Sequence, residues 1–473
     1  MTFSGFTLPM SYSTTDLQAT IVALSTPPGT GALAVIRLSG ARAIGLTDRF
    51  FRSKDLTLQA THTLHVGNLR AADGRILDEV VIGLFRGPRS YTGEDVVEIS
   101  THGSPYIVRE VLRLFADNGA RPAQPGEFTL RAFLNGRLDL SQAEAVGDLI
   151  ASESRTGHEL AMRQMRGGFS RRIAELRQQL IDFAALIELE LDFGEEDVEF
   201  ANRKKLRELI GTIRRVLRDL IDSFALGNVL RTGVPTVLAG RPNAGKSTLL
   251  NALLAEDRAL VSDIAGTTRD TIEEGLVIDG IQFRLIDTAG IREAQDQIEA
   301  AGVARTLEKV AESSLLLYVF DVIDTQPSEV AADLEKLYRP GLTIFGVANK
   351  MDLNPYTEAK HYAGPHLPPE RFIPLSARNN MNIPYLKERL HAAVLGDAEL
   401  QDQTVVTNAR HVAALQQADQ ALGTALENMD TGITADWIAL DIRRALHHLG
   451  EITGEISTDD LLGSIFGRFC IGK

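Results

Sequence analysis

Hydrophobic and polar positions change rhythm along the chain. Up to about residue 138, short β-branched runs alternate with Gly- and Pro-rich stretches, and the runs Thr20 to Leu24, Ala34 to Leu38 and Val80 to Phe85 predict strands. From Ser141 the period becomes helical. Ser141 and Glu144 stand at capping-box spacing, and apolar residues recur through Met165, Ile173, Leu176, Leu180 and Phe183, predicting long helices as far as about Phe224. Between about 233 and 395, strand-like runs alternate with helical patterns: Thr236 to Ala239, Phe283 to Ile286, Leu315 to Phe320, Thr343 to Ala348 and Phe372 to Leu375. That alternation predicts a parallel sheet with flanking helices. The pattern is helical again from about Val405 to Leu449 and from Asp459 to Phe466.

The fold class expected is therefore multidomain, α/β plus α. An N-terminal α+β domain takes residues 1–138, a helical domain takes 139–231 and 396–473, and an α/β domain at 232–395 is inserted between the two helical parts.

Composition narrows the class further. A length of 473 residues with 44% hydrophobic positions fits several domains with real cores and excludes disorder. There is no apolar run of about 18 residues, and the first residues lack the basic start and apolar stretch of a signal peptide. No membrane insertion is expected, and the cytoplasm is the expected compartment. A single cysteine makes neither an intrachain disulfide nor a cysteine-based zinc site, in keeping with a reducing compartment. The net charge of -14 argues against a surface built for general nucleic-acid binding. A local basic cluster, Arg203, Lys204, Lys205, Arg207, Arg214, Arg215 and Arg218, falls in an amphipathic pattern and reads as a solvated helix face. The acidic run Glu188, Glu190, Asp192, Glu195, Glu196, Asp197 and Glu199 surrounds Phe193-Gly194. It reads as a turn between helices rather than a metal cluster.

Specific chemistry begins at Gly240-Arg241-Pro242-Asn243-Ala244-Gly245-Lys246-Ser247-Thr248, a G-x-x-x-x-G-K-[ST] motif directly after one apolar run and before a helical one. Its glycines let backbone N–H groups wrap phosphates, Lys246 neutralises the β and γ charges, and the Ser247 hydroxyl suits magnesium. Asp287-Thr288-Ala289-Gly290 follows the next strand-like run and supplies a carboxylate for the magnesium shell and an N–H for the γ-phosphate. Thr268, within Gly266-Thr267-Thr268-Arg269-Asp270, is the natural second hydroxyl ligand of magnesium in a switch loop.

Base identity comes from Asn349-Lys350-Met351-Asp352. The Asp352 carboxylate accepts from both the ring N–H and the amino group of guanine, and adenine offers neither donor there. Two charge-assisted bonds at roughly 1.5 to 3 kcal/mol each give about two to four decades in favour of GTP over ATP. Ser376-Ala377-Arg378 completes the guanine edge with a backbone N–H. Hydrolysis is less determined, because Ile291 follows Gly290 where a Ras-like switch has a water-orienting glutamine. Glu293, Asp296 and Glu299 are the candidates for that task. No arginine finger is obvious in cis: Arg292 is a candidate that reads better as a surface residue, and a monovalent cation beside Asn243 is the alternative source of positive charge.

Beyond these motifs the chain resembles the MnmE (TrmE) family of tRNA modification GTPases, from about Thr20 to Lys473. The resemblance rests on Thr26-Pro27-Pro28-Gly29, Arg37-Leu38-Ser39-Gly40, Tyr91-Thr92-Gly93-Glu94-Asp95, Pro125-Gly126-Glu127-Phe128, Arg131-Ala132-Phe133-Leu134-Asn135 and the tail Phe469-Cys470-Ile471-Gly472-Lys473. It implies a folate-binding, dimerising N-terminal domain, a long-helix middle domain and an inserted Ras-like P-loop GTPase domain that works with potassium. It also implies a homodimer and a heterotetramer with the FAD-dependent MnmG (GidA) protein, together modifying carbon 5 of the wobble uridine of certain tRNAs. Carried over by position, Asn243, Ser262, Ile264 and Thr267 hold K+, with Asp263 and Ala265 in the same nucleotide-covering loop. Ser247 and Thr268 hold Mg2+, and Glu299 orients the attacking water. Arg37, Glu98, Arg137 and Lys473 hold 5-formyl- or methylene-tetrahydrofolate. A carboxylate suits the donor edge of a pterin and basic groups suit the glutamate tail. Arg137 stands where the family often has lysine, keeping the charge while changing the fork geometry.

Cys470, the fourth residue from the end, fits a prenylation signal poorly because Gly472 and Lys473 follow it. The resemblance favours a thiol delivered to the folate carbon over a small buried apolar residue. A rival reading is a ribosome-assembly GTPase that uses the same nucleotide motifs to gate docking on RNA. It leaves the folate-like N-terminal domain and the C-x-G-K tail without a purpose.

Overall fold

The computed structural model describes residues 17–192, 203–257, 273–287, 309–395, 404–431, 434–457 and 459–472. In chain order the N-terminal part runs β1 (Ile21–Leu24), β2 (Leu33–Ser39), α1 (Ala43–Asp48), β3 (Thr63–Arg70), β4 (Ile76–Phe85), β5 (Val96–His102), α2 (Pro105–Asp117), β6 (Arg121–Pro122) and α3 (Glu127–Leu134). Helices α4 (Leu140–Ala151), α5 (Arg155–Met165), α6 (Gly168–Asp192), α7 (Arg203–Asp222) and α8 (Phe224–Thr232) follow. Next come β7 (Val234–Ala239), α9 (Lys246–Asp257), β8 (Glu273–Ile278), β9 (Ile281–Asp287), β10 (Leu315–Asp321), α10 (Pro327–Leu337), β11 (Thr343–Asn349), α11 (Ala359–Tyr362), β12 (Phe372–Pro374) and α12 (Ile383–Leu395). The chain ends in α13 (Ala409–Asp430), α14 (Ala435–Thr453) and α15 (Asp459–Phe466).

Two compact units result. The first takes residues up to 147, 164–210 and 420–473, and the second takes 148–163 and 211–419.

The first unit is built on a sheet of order β3-β4-β5-β2-β1-β6, antiparallel except for the β1–β6 pair. Strand alternation sends Ile36, Leu38, Val80, Ile82, Leu84, Val97 and Ile99 to one face, where they pack on α1 and on Val111, Leu114 and Phe115 of α2. The same period sends Val35 and Arg37 to the opposite face, and the register sets Arg37 beside Glu98. A smaller core joins Leu130 and Phe133 of α3 to Leu140 and Ala143 of α4 and to Leu461, Leu462, Ile465 and Phe466 of α15. Helix α15 is thereby fastened to α3 and α4.

Under that sheet lies a buried ion network. Arg131 donates to both carboxylate oxygens of Glu94 (3.1 and 3.0 Å), to Glu127 (2.9 Å) and to the carbonyl of Ala19 (2.8 Å). Arg121 also pairs with Glu127, and Ser39 Oγ donates to Glu94 at 2.6 Å. Arg131 and Glu127 are buried. Charges of this kind are tolerated inside a protein only as a fully paired set.

One expectation is corrected here. The box at the start of α4 is made by Asp139 and Gln142: Asp139 Oδ1 accepts from the Gln142 N–H (2.8 Å) and Gln142 Oε1 from the Asp139 N–H (2.9 Å). Ser141 is already inside the helix, buried, and accepts from Gln164 Nε2 at 3.2 Å. The Asp-x-x-Gln pair starts two positions earlier and satisfies the first turn before Ser141 is reached.

The second unit carries a sheet of order β12-β11-β10-β7-β9-β8, parallel throughout except that β8 runs against β9. Both faces are covered, so β10 is buried along its whole length. Leu249 and Leu253 of α9 and Leu386 and Leu390 of α12 pack on one face, and Val330 and Leu334 of α10 pack on the other. The chain leaves β7 toward β9 on one side and returns to β10 on the other. Ligands of open parallel sheets bind outside the strand ends at such a switch point.

Replacing Arg131 by Met removes the cation shared by the buried Glu127, which keeps Arg121, and the partly exposed Glu94, and should destabilise the first unit by about 3 kcal/mol. Differential scanning calorimetry is expected to show one unfolding transition shifted down while that of the second unit stays in place.

Candidate functional site

The loop after β7 has phosphate-binding geometry. Asn243 takes a left-handed backbone (φ 63°), which asparagine tolerates better than most residues, and Gly245 does the same at φ 91°. A Cβ on Gly245 would lie 2.2 Å from Asn349 Nδ2, so glycine is required. Ala244 is buried and anchors the loop, while Asn243, Ser247 and Thr248 are exposed at its mouth and at the start of α9. Lys246 Nζ lies across the loop, donating to the carbonyls of Gly240 (2.8 Å) and Arg241 (2.9 Å). An ammonium, a helix N-terminus and a ring of loop N–H groups together favour a polyphosphate.

The base-recognition loops lie at the ends of neighbouring strands. Asn349, the last residue of β11, is buried and donates from Nδ2 to the carbonyl of Ala244 (2.8 Å), while its Oδ1 accepts from the Ala377 N–H (3.0 Å). One side chain thus ties three motif loops together. Lys350 has φ 66° and pairs with Asp321 at the end of β10. Met351 is buried, and Asp352 and Arg378 are exposed beside that junction. Ser376 is buried and bridges to Met381 through its backbone.

In the first unit the tail meets the open face of the sheet. Pro125 and Ile471 form an antiparallel bridge, the Gly126 N–H donates to the Cys470 carbonyl (3.4 Å), and Ser25 Oγ donates to the Gly472 carbonyl (3.2 Å). Gly472 has φ 96°, and a Cβ there would fall 2.2 Å from the Leu24 carbonyl oxygen, so only glycine lets the tail lie this close. Arg37 Nε donates to Glu98 Oε1 (2.9 Å) and a terminal nitrogen reaches the Gly472 carbonyl (3.5 Å). Its guanidinium is flanked by the rings of Tyr91 (5.4 Å) and Phe128 (5.6 Å). Burial raises the Tyr91 phenol above its usual range, against the opposing effects of its bond to Thr129 and of Arg37. Cys470, two residues before Gly472, is exposed. Arg137 is exposed on the loop after α3, its stem running past Gly93.

The comparisons with known proteins speak to the whole chain. Residues 20–137 match the model described as GTP-binding protein TrmE N-terminus, and residues 140–470 match the MnmE helical domain. A tRNA modification GTPase MnmE of Cytophaga hutchinsonii is 54% identical over 457 residues, covering 96% of this chain and 98% of that protein. Its counterpart in Christiangramia forsetii is 50% identical over 474 residues, covering 97% and 100%. The chain belongs to the MnmE family of tRNA modification GTPases. Among solved structures, the G domain of the T. maritima FeoB iron transporter aligns with 33% of this chain and 96% of its own, at 22% identity and a TM-score of 0.25.

As a member of the MnmE family the protein is a GTPase of tRNA modification, and its motifs divide into two groups. Arg37, Glu98 and the tail gather at one place, as do the P-loop, Asn349 and Ala377. Glu94, Glu127 and Arg131, quoted above only as marks of the MnmE resemblance, form the buried network beneath the first place. The resemblance singled out their motifs but not their pairing, because Arg131 and Glu94 lie 37 positions apart. Arg241, to which the P-loop motif gives no role, is held by Glu329 and Asp333. Arg207 pairs with Asp430, and Arg214 and Arg218 pair with Asp419, so part of the basic helix face is charge-compensated. Ser262, Asp263, Ile264, Ala265, Gly266, Thr267, Thr268, Thr288, Ala289, Gly290, Glu299 and Lys473 lie outside the described residues, as do Arg292, Glu293, Asp296 and the Phe193-Gly194 turn. Asp287 ends β9, where its backbone is described.

Replacing Asn349 by Leu leaves the Ala244 carbonyl and the Ala377 N–H unpaired in the interior, at about 1 to 3 kcal/mol each. Titration with a fluorescent GTP analogue is expected to show a loss of affinity of at least about tenfold.

Proposed function

We propose that the chain is a potassium-activated GTPase that acts with an FAD-dependent MnmG (GidA) partner. In that reading it uses a tetrahydrofolate one-carbon unit to install a carboxymethylaminomethyl-type group at carbon 5 of the wobble uridine of certain tRNAs. The observation that carries it is the meeting of Arg37, Glu98 and the Cys470-Ile471-Gly472 tail on one sheet face, a junction a plain nucleotide switch does not need. The functional division it implies is 1–138, 139–231 with 396–473, and 232–395.

For GTP, Lys246 neutralises the β and γ oxygens, Ser247 with Thr268 holds Mg2+ with Asp287 nearby, and Asp352 reads guanine. Asn243 fits a monovalent cation, because its exposed amide lies at the phosphate-loop mouth on a left-handed backbone. Ser262, Ile264 and Thr267 complete that ligand set, and Glu299 orients the water. Bound potassium supplies the positive charge that an arginine finger supplies elsewhere.

For the folate, the Glu98 carboxylate accepts from the pterin donor edge, and Arg137 and Lys473 face the glutamate tail. Arg37 orients Glu98 through their hydrogen bond. The bound folate supplies the one-carbon unit, and the exposed Cys470 thiol acts beside it. Leu64 and Val66 of β3 leave apolar side chains exposed on one face near the edge of the sheet, which supports homodimerisation through this domain. No helix among the described residues is long and apolar enough to cross a membrane, and the cytoplasm is the compartment we assign.

GTP turnover measured in KCl and in NaCl at equal ionic strength tests the engine of this proposal. A potassium preference of at least about tenfold, abolished in Asn243→Ala, is the expected outcome. Equal rates in the two salts would replace the cation by an activating residue from a partner.

A further inference from the structure

The P-loop carries a side chain that the nucleotide motifs leave without a task. Arg241 points away from the phosphate mouth toward α10, whose Glu329 and Asp333 stand at i and i+4 and so share one helix face. Arg241 Nε donates to Asp333 Oδ2 at 2.8 Å, a terminal nitrogen donates to Oδ1 at 3.4 Å, and the other terminal nitrogen pairs with Glu329 Oε1. Each carboxylate is itself fixed. Tyr318 of β10 donates its hydroxyl to Asp333 Oδ2 at 2.5 Å, and Glu329 Oε2 accepts the Gln326 N–H at 2.9 Å as part of the capping box of α10. Burial works against the charge on Asp333, yet its bonds to Arg241 and Tyr318 hold its carboxyl below the usual range.

As a stability device this arrangement is weak, because Arg241 and Glu329 are 40% and 39% exposed and such pairs contribute little. As a geometric device it is well placed. The carbonyls of Gly240 and Arg241 are the acceptors of Lys246 Nζ, so whatever fixes the Arg241 backbone fixes where the phosphate-binding ammonium rests. A guanidinium gripped by two anchored carboxylates is a rigid tie, which a lysine with its single point charge does not reproduce.

We infer that Arg241 is a positioning residue for GTP binding: clamped by Glu329 and Asp333, it holds the first turn of the phosphate loop in its nucleotide-receiving shape. The clamp reaches the nucleotide only through the backbone of the phosphate loop, so it acts on binding and not on the chemical step.

The test is steady-state GTP turnover and GDP titration of the full-length protein. Arg241→Ala should raise KM for GTP and Kd for GDP together by about five- to tenfold, with kcat at saturating GTP within about twofold of the parent. Arg241→Lys should stay as impaired as Arg241→Ala. Asp333→Asn, which keeps the shape of the side chain, should reproduce much of the loss from the helix side. Arg241→Ala added to Glu329→Gln/Asp333→Asn should cost little more, since the partners act as one unit. Four results would overturn the inference: unchanged KM, a fall in kcat at constant KM, full recovery with lysine, or additive losses in the combined variant. A lowered melting temperature with unchanged KM would mark the clamp as merely structural and equally end the proposal.

Discussion

The closure of the last residues of the chain onto its first strand is the contact on which the rest depends. Gly472 lies against the backbone of Leu24 at a distance that admits no side chain, and Ile471 bridges to Pro125. The consequence is topological. Residues near the two ends build one unit, and the segment 211–419 interrupts it as an insertion. The closure also brings the Gly472 carbonyl to Arg37, so residues 435 positions apart in the chain meet by folding alone.

Two kinds of electrostatic construction serve the two units. Beneath the Arg37–Glu98 pair, charge is buried and fully compensated, with Arg131 at the centre of Glu94, Glu127 and the Ala19 carbonyl. Such a network contributes little net stability against a well-packed apolar replacement but fixes one arrangement of α3 against the sheet. Around the phosphate loop the charges are partly exposed, and they constrain the shape of a loop that has to accept a polyanion. Asn349 supplies the buried counterpart there, joining the P-loop to both base-recognition loops.

The nucleotide motifs were legible in the sequence because their chemistry is local. Gly240 to Ser247 is a loop between a strand and a helix whose glycines and lysine act through the backbone around them, and β7 and α9 lie where the apolar runs predicted. Strands β2, β4, β10 and β11 were legible for a similar reason, since alternation or a continuous apolar run is a property of neighbours. The start of α4 was misread because Ser141 and Glu144 imitate a pattern that Asp139 and Gln142 fulfil. The Arg131 network, the Arg241 clamp and the neutralisation of Arg214 and Arg218 by Asp419 were illegible, since each depends on pairing between distant elements. Arg37 and Glu98 were named through family resemblance, and the strand register that makes them neighbours came only with the structure.

The central claim is that the Arg37–Glu98 face, closed by the tail, is a binding site separate in function from the nucleotide site. Isothermal titration of 5-formyl-tetrahydrofolate into the full-length protein and into Glu98→Gln tests it most directly, with GTP turnover measured on both. The account predicts binding by the parent, a loss of at least about tenfold in Glu98→Gln, and the same GTP turnover in each. Absence of binding by the parent, or equal affinity in the variant, would contradict it.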